Sequence, residues 1–138
     1  VFLLSLAAAG LCFNITFVNN CKDSLNVCDK KVPGLLAPGK TAIAVYDAKD
    51  STMFRVNCTG KTVASTFPDP YSPLTKYQID ARTYGFDVAM QIKPMSGNSL
   101  TLTCKSADCA GTYWFGGEKT VLFDATSRDT DFTLTYCP

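Results

Sequence analysis

The sequence predicts an all-β fold in which two antiparallel sheets pack face to face as a sandwich stapled by disulfides. Three observations predict it. Nearly every ordered stretch alternates apolar and polar residues at period two, and no stretch of useful length repeats at 3.6. Turn formers recur between those stretches, at Pro33-Gly34, Pro38-Gly39, Thr59-Gly60, Ser96-Gly97-Asn98, Gly116-Gly117 and Ser127-Arg128-Asp129, each supplying a fixed φ or a φ above zero. Seven cysteines in 138 residues are the density of a small chain whose bridges supplement its core in an oxidising compartment.

Taken in order, Val1 to Leu11 is apolar, uncharged and closed by small residues, like the hydrophobic region and cleavage site of a secretory signal. It is too short to span a bilayer, which takes about 20 apolar residues. Residues 1–12 are read as a signal remnant of a secreted, extracellular protein and 13–138 as one domain; the same apolar run also suits a buried first strand. Cleavage after Ala9 or Gly10 keeps Cys12 on the mature chain, whereas cleavage after Cys12 leaves an even set of cysteines able to pair completely. Counting alone does not fix the pairing.

Strands follow from the alternation. Phe13, Ile15 and Phe17 alternate with Asn14 and Thr16; Ile43 and Val45 share one face of Thr41 to Tyr46; Val88, Met90 and Ile92 alternate with Ala89 and Gln91. Leu100, Leu102 and Cys104 alternate with Thr101 and Thr103, and Phe132, Leu134 and Tyr136 with Thr133 and Thr135. Shorter candidates are Met53 to Asn57, Lys76 to Ile79, Thr112 to Phe115 and Thr120 to Phe123. Phe67 to Pro73 holds three prolines, which remove backbone donors and exclude a central strand, so a stiff surface loop is expected there. Two sequons, Asn14-Ile15-Thr16 and Asn57-Cys58-Thr59, are candidate glycosylation sites, the second hindered if Cys58 is bridged.

Charge and composition exclude several functions. Thirteen Lys and Arg against twelve Asp and Glu leave a net charge of +1, and the cations are scattered, so nothing draws the chain to a nucleic acid. The absence of histidine removes the Ser-His-Asp and Cys-His nucleophile systems and the commonest zinc ligand. Any catalysis would rest on carboxylates. No calcium-loop motif is present and the cysteines are committed to bridges, so no metal or other cofactor is expected.

The two ends carry a resemblance. The chain opens on Ile15-Thr16-Phe17-Val18-Asn19-Asn20-Cys21 and closes on Phe132-Thr133-Leu134-Thr135-Tyr136-Cys137-Pro138. This pair resembles the ends of the thaumatin-like proteins, a pathogenesis-related family. Leu36-Ala37-Pro38-Gly39-Lys40, Arg55-Val56-Asn57-Cys58 and Gly85-Phe86-Asp87-Val88-Ala89-Met90 resemble further family segments in the same order, and Cys104 and Cys109 keep the family's spacing. The resemblance implies a flattened β-sandwich with Cys21 joined to Cys137. The family's disulfide-rich second domain is missing, with only Ala110 to Thr120 in its place. Cys104 then most simply pairs with Cys109, and Cys28 with Cys58.

Family members bind β-1,3-glucans, some hydrolyse them and some inhibit fungal growth, through an acidic cleft that also holds an arginine. Arg55 matches that arginine. The family glutamate falls where this chain has Thr66-Phe67, and an acidic residue falls at Tyr84, so the cleft is at best partial. Asp80 and Asp87 are the candidate catalytic pair for a weak endo-β-1,3-glucanase, a reaction that needs two carboxyl groups, one with a raised pKa. Their ordinary alternative is solvated or ion-paired aspartates near turns. Binding without chemistry suits the composition better: Arg55, Tyr77, Tyr84, Tyr113 and Trp114, with Tyr71 and Phe86 near them in sequence, are candidate ligand contacts, although aromatics also fill cores. The expected partner is a β-glucan or another cell-wall polysaccharide, met by a monomer. Some thaumatin-like proteins are sweet-taste receptor ligands, which makes a cell-surface receptor the alternative partner. Lys22, Lys30, Lys31, Lys40 and Lys49 are the basic residues that reading would use.

Overall fold

The computed structural model of the chain describes residues 11–109, 113–115 and 118–138, with residues 113–115 and 118–123 described by their backbone. The described residues form ten strands: β1 (Cys12–Asn19), β2 (Thr41–Asp47), β3 (Thr52–Phe54), β4 (Val63–Pro68), β5 (Leu74–Asp80), β6 (Met90–Pro94), β7 (Leu102–Cys104), β8 (Tyr113–Phe115), β9 (Glu118–Ser127) and β10 (Phe132–Tyr136). They build two five-stranded sheets, in the orders β2-β1-β10-β6-β7 and β3-β4-β5-β9-β8. No helix among the described residues is long and apolar enough to cross a membrane.

In β1, β6 and β10 the apolar residues that alternate in the sequence are buried, whereas in β2 the faces are reversed: Ala44 and Tyr46 are buried and Ile43 and Val45 are exposed. Phe13, Ile15 and Phe17 of β1 point inward, as do Ile92 of β6 and Phe132 and Leu134 of β10. Facing them are Phe54, Tyr77 and Ile79 of the second sheet. Phe54 stands edge-on to both Phe17 (5.0 Å) and Tyr46 (5.7 Å), and Tyr77 packs 5.2 Å from Phe132, so aromatic edges and faces join the sheets.

The antiparallel expectation fails at one pair. β1 and β10 run parallel, with Ile15 beside Phe132 and Asn19 beside Tyr136. Parallel neighbours end at the same side of the sheet, which puts Cys21 and Cys137, just past the two strands, 5.0 Å apart between Cα atoms and joined as a disulfide. The other bridges are Cys28–Cys58 and Cys104–Cys109. Cys12 opens β1 at an exposed position, while residues 1–10 of the expected signal remnant lie outside the described residues.

Three local expectations change. The strand expected over 53–57 stops at Phe54, because Val56–Cys58 is a tight 3-10 turn with Asn57 and Cys58 at φ 55 and 64. The sixth strand begins at Met90 because the Asp87 and Val88 N–H groups bond to Thr62 Oγ1 and not to a neighbouring strand. β4 is an additional strand, central in its sheet although it ends on Phe67 and Pro68. Pro68 is tolerated because β3 pairs only as far as Thr66, so β4 is open on that side where the proline lacks its donor.

On the outer edge of the first sheet, Lys31 donates from Nζ to the Val45 carbonyl and lies 4.6 Å over the Tyr46 ring. Asn14 is exposed on the outer face, opposite Val45. Asn57 has a left-handed φ, accepts the Asn26 N–H at 2.9 Å through Oδ1, and precedes a bridged cysteine. In a host that N-glycosylates, Asn14→Gln is therefore expected to remove the protein's glycan and Asn57→Gln to leave its mass unshifted, read by intact mass before and after amidase treatment. Replacing Cys21 and Cys137 by Ser is expected to cost up to about 4.7 kcal/mol in denaturant unfolding, against about 2 kcal/mol for the short Cys104–Cys109 loop, since the entropy removed from the unfolded chain grows with loop length.

Candidate functional site

Two loops meet at one end of the second sheet: residues 55–62, between β3 and β4, and residues 81–89, between β5 and β6. Thr62, fully buried, and Asp87 clamp them together. Asp87 accepts the backbone N–H groups of Lys61 (2.8 Å) and Thr62 (3.0 Å), and Thr62 Oγ1 accepts those of Asp87 (3.1 Å) and Val88 (3.3 Å). Gly60 makes the approach possible, because a Cβ there would sit 2.9 Å from both the N and O of Val56 and 3.5 Å from Asp87 Oδ2. On the far side, the Cys28–Cys58 bridge and the reciprocal Asn26–Asn57 hydrogen bonds hold the tight turn.

Arg55 enters this turn, and its guanidinium lies 4.0 Å over the Tyr84 ring, which is 54% exposed. Such a cation–π contact is worth about 0.5–1 kcal/mol at an exposed site. Arg55 Nε is buried without a hydrogen-bond partner. Lys61 runs beside the same ring's backbone neighbour: a Cβ on Gly85, whose φ is +100, would meet Lys61 Cδ at 3.3 Å. The structure therefore brings Arg55 and Tyr84 together and adds Lys61, which no sequence pattern singled out. Gly60 stood in a recognised turn; Thr62 carried no signal at all.

The candidate catalytic carboxylates have other partners. Buried Asp80 accepts the N–H groups of Arg82 (2.8 Å) and Thr83 (2.9 Å), shaping the turn after β5. For Asp87, burial that would raise the pKa is outweighed by the backbone N–H groups of Thr62 and Lys61, which hold the carboxyl below its ordinary 3.8. The acid member of a glycosidase pair needs the opposite shift. Tyr77 is fully buried, and its hydroxyl lies within hydrogen-bond distance of Leu100 O and the Asp124 carboxylate. The Tyr113 and Trp114 side chains lie outside the described residues. Tyr71 is 95% exposed on the separate proline-rich loop, and Phe86 packs against the core. Of the basic residues read for a receptor, Lys31 holds the sheet edge and Lys49 pairs with Asp47 at 3.5 Å.

Two open grooves flank the turn. One of about 310 Å³ is lined by Asn26, Asp29, Lys30 and the Cys28–Cys58 bridge. The other, about 340 Å³, begins at Val56 and Val88, the residues after Arg55 and Asp87, and runs past Lys22, Asp23 and the Cys21–Cys137 bridge.

The same architecture occurs in solved proteins. The protein elicitor MoHrip2 from Magnaporthe oryzae matches with a TM-score of 0.64 at 16% identity, covering 91% of this chain and 99% of that one. The thaumatin-like xylanase inhibitor TLXI matches with a TM-score of 0.52 at 16% identity, covering 90% of this chain and 99% of its own. The fold is thaumatin-like. No protein-family model and no curated protein matches the sequence.

The clamp is testable by stability. Asp87→Ala is expected to cost about 1–2 kcal/mol, leaving two backbone donors without their charged acceptor, and Gly60→Ala more, since the obstruction is backbone. Because the folded Asp87 carboxyl is more acidic than the unfolded one, its contribution is complete above pH 3.8 and is lost as the pH falls through the lower folded value. Unfolding curves from pH 6 down to about pH 2 should therefore converge for wild type and Asp87→Asn at the acid end.

Proposed function

We propose that the chain is a secreted defence protein that recognises β-glucan or another cell-wall polysaccharide by binding and without catalysis. One observation carries this: a half-exposed aromatic ring, Tyr84, is held in place by a stacked guanidinium, Arg55, at a clamped pair of loops beside a groove. Aromatic rings with one apolar face and a polar margin are platforms for sugar rings, and a rigid platform loses little entropy on binding. Three disulfides fit an extracellular setting. The solved proteins of this fold, an elicitor and a xylanase inhibitor, support a role in molecular recognition.

Hydrolysis has less support, since Asp80 and Asp87 each accept two backbone N–H groups and so serve the local turns. Receptor engagement through a basic face has less as well, in a chain of net charge +1.

Retention on an insoluble cell-wall fraction and on insoluble β-1,3-glucan tests the proposal. Wild type is expected to be retained on at least one of them, and Tyr84→Ala to bind at least about tenfold more weakly, the loss of one well-placed aromatic contact, while still unfolding cooperatively with a midpoint lowered by no more than a few degrees. Failure of the wild type to bind any polysaccharide would end this reading.

A further inference from the structure

The Arg55–Tyr84 platform carries positive charge with no ion-pair partner among the described residues. Among the described residues no carboxylate lies within ion-pair distance of Arg55, Lys61 or Arg82; the ion pairs present are Lys49–Asp47 and Lys76–Asp69. Asp80 and Asp87, the acidic side chains at these loops, each accept two backbone N–H groups and form no ion pair with these cations. Arg55, by contrast, has its Nε buried with no acceptor, and its position over Tyr84 fixes where its remaining donors point. The Lys61 stem passes close to Gly85, the chain neighbour of Tyr84.

A guanidinium fixed on an aromatic ring and lacking an internal anion is matched by a planar carboxylate, which takes its N–H fork in two parallel hydrogen bonds. A sugar ring bearing that carboxylate would also use the exposed Tyr84 surface. We propose that the platform recognises a uronic acid within a polysaccharide, its carboxylate on Arg55 with Lys61 beside it and its ring against Tyr84. This rests on the polysaccharide reading above and names the class of its ligand. It inverts the electrostatics of an acidic cleft.

The test is titration with three probes: a galacturonate oligomer, its fully methyl-esterified counterpart and a neutral β-1,3-glucan oligomer. The free acid is expected to bind at least about tenfold more tightly than the ester at low salt, the advantage of a charge-assisted bidentate contact, with the margin shrinking as salt rises. Arg55→Gln should bring the acid-to-ester ratio close to one, Arg55→Lys should keep part of it, and Lys61→Gln, at an exposed position, should lower it. Equal affinity of wild type for acid and ester overturns the inference, and if the neutral glucan binds at the same time the polysaccharide reading stands without it. An unaltered ratio in a folded Arg55→Gln variant overturns it as well. Binding to none of the three probes overturns both.

Discussion

The parallel pairing of β1 with β10 is the constraint on which the rest of the fold depends. β2 leans on β1, and β6 and β7 lean on β10, so the first sheet has no centre until the two ends of the domain lie side by side. The pairing joins residues as far apart as Ile15 and Phe132, and a parallel pair is slightly less stable per residue than an antiparallel one. Two features offset the loop-closure cost. The inner faces of the pair carry Phe13, Ile15, Phe17, Phe132 and Leu134, all buried, and the Cys21–Cys137 bridge closes just beyond both strands. The second sheet then packs against an aromatic surface that only this pairing assembles.

The acidic residues follow a different logic from the one an acidic cleft requires. Asp29, Asp47, Asp69 and Asp80 each accept the backbone N–H two residues ahead, and Asn19 and Asn26 do the same. These are Asx turns, in which a short side chain takes the place of a backbone acceptor. A chain linking many short strands needs many tight corners, and its carboxylates are used there. Among the described residues these four aspartates are turned toward the backbone at corners, while Arg55 and Lys61 form no ion pair. The left-handed conformations of Asn57 and Cys58, costly for residues with a Cβ, persist because the Cys28 bridge and the Asn26 contacts hold them. That strain sits one turn from Arg55, which ties the site's geometry to the disulfide framework.

How much of this could be read from the residues depended on where the information is stored. Period-two alternation located β1 and β10 through their buried apolar faces, and located β2 with its faces reversed, since Ala44 and Tyr46 face the core while Ile43 and Val45 face solvent. β4 escaped because its first four residues are all buried and alternate in nothing, and because its terminal proline reads as a loop signal. The direction of β10 beside β1 is a property of topology, which local pattern does not encode. At the site, Arg55 was legible through its setting before a cysteine and Tyr84 as an aromatic near it. The burial of Tyr77 was not legible, because a buried tyrosine with a hydrogen-bonded hydroxyl has the same sequence signature as a ligand platform. The role of Asp87 was hidden because its partners, the N–H groups of Lys61 and Thr62, are supplied by the backbone of a distant loop and have no side-chain identity to recognise.

The lysine on the rim of the first sheet bears on how these molecules meet one another in a crowded solution. β2 is a terminal strand, and its uncharged stretch from Thr41 to Tyr46 exposes Ile43 and Val45 at 65% and 53%, the composition of a segment that stacks into cross-β assemblies. Lys31 occupies the Val45 carbonyl from outside and plants an ammonium beside it. A second molecule adding its own strand there would have to displace that bond and desolvate the charge, a penalty of the kind natural sheets use against edge-to-edge growth. One side chain, delivered from a loop that belongs to neither sheet, thus blocks a position on this open edge.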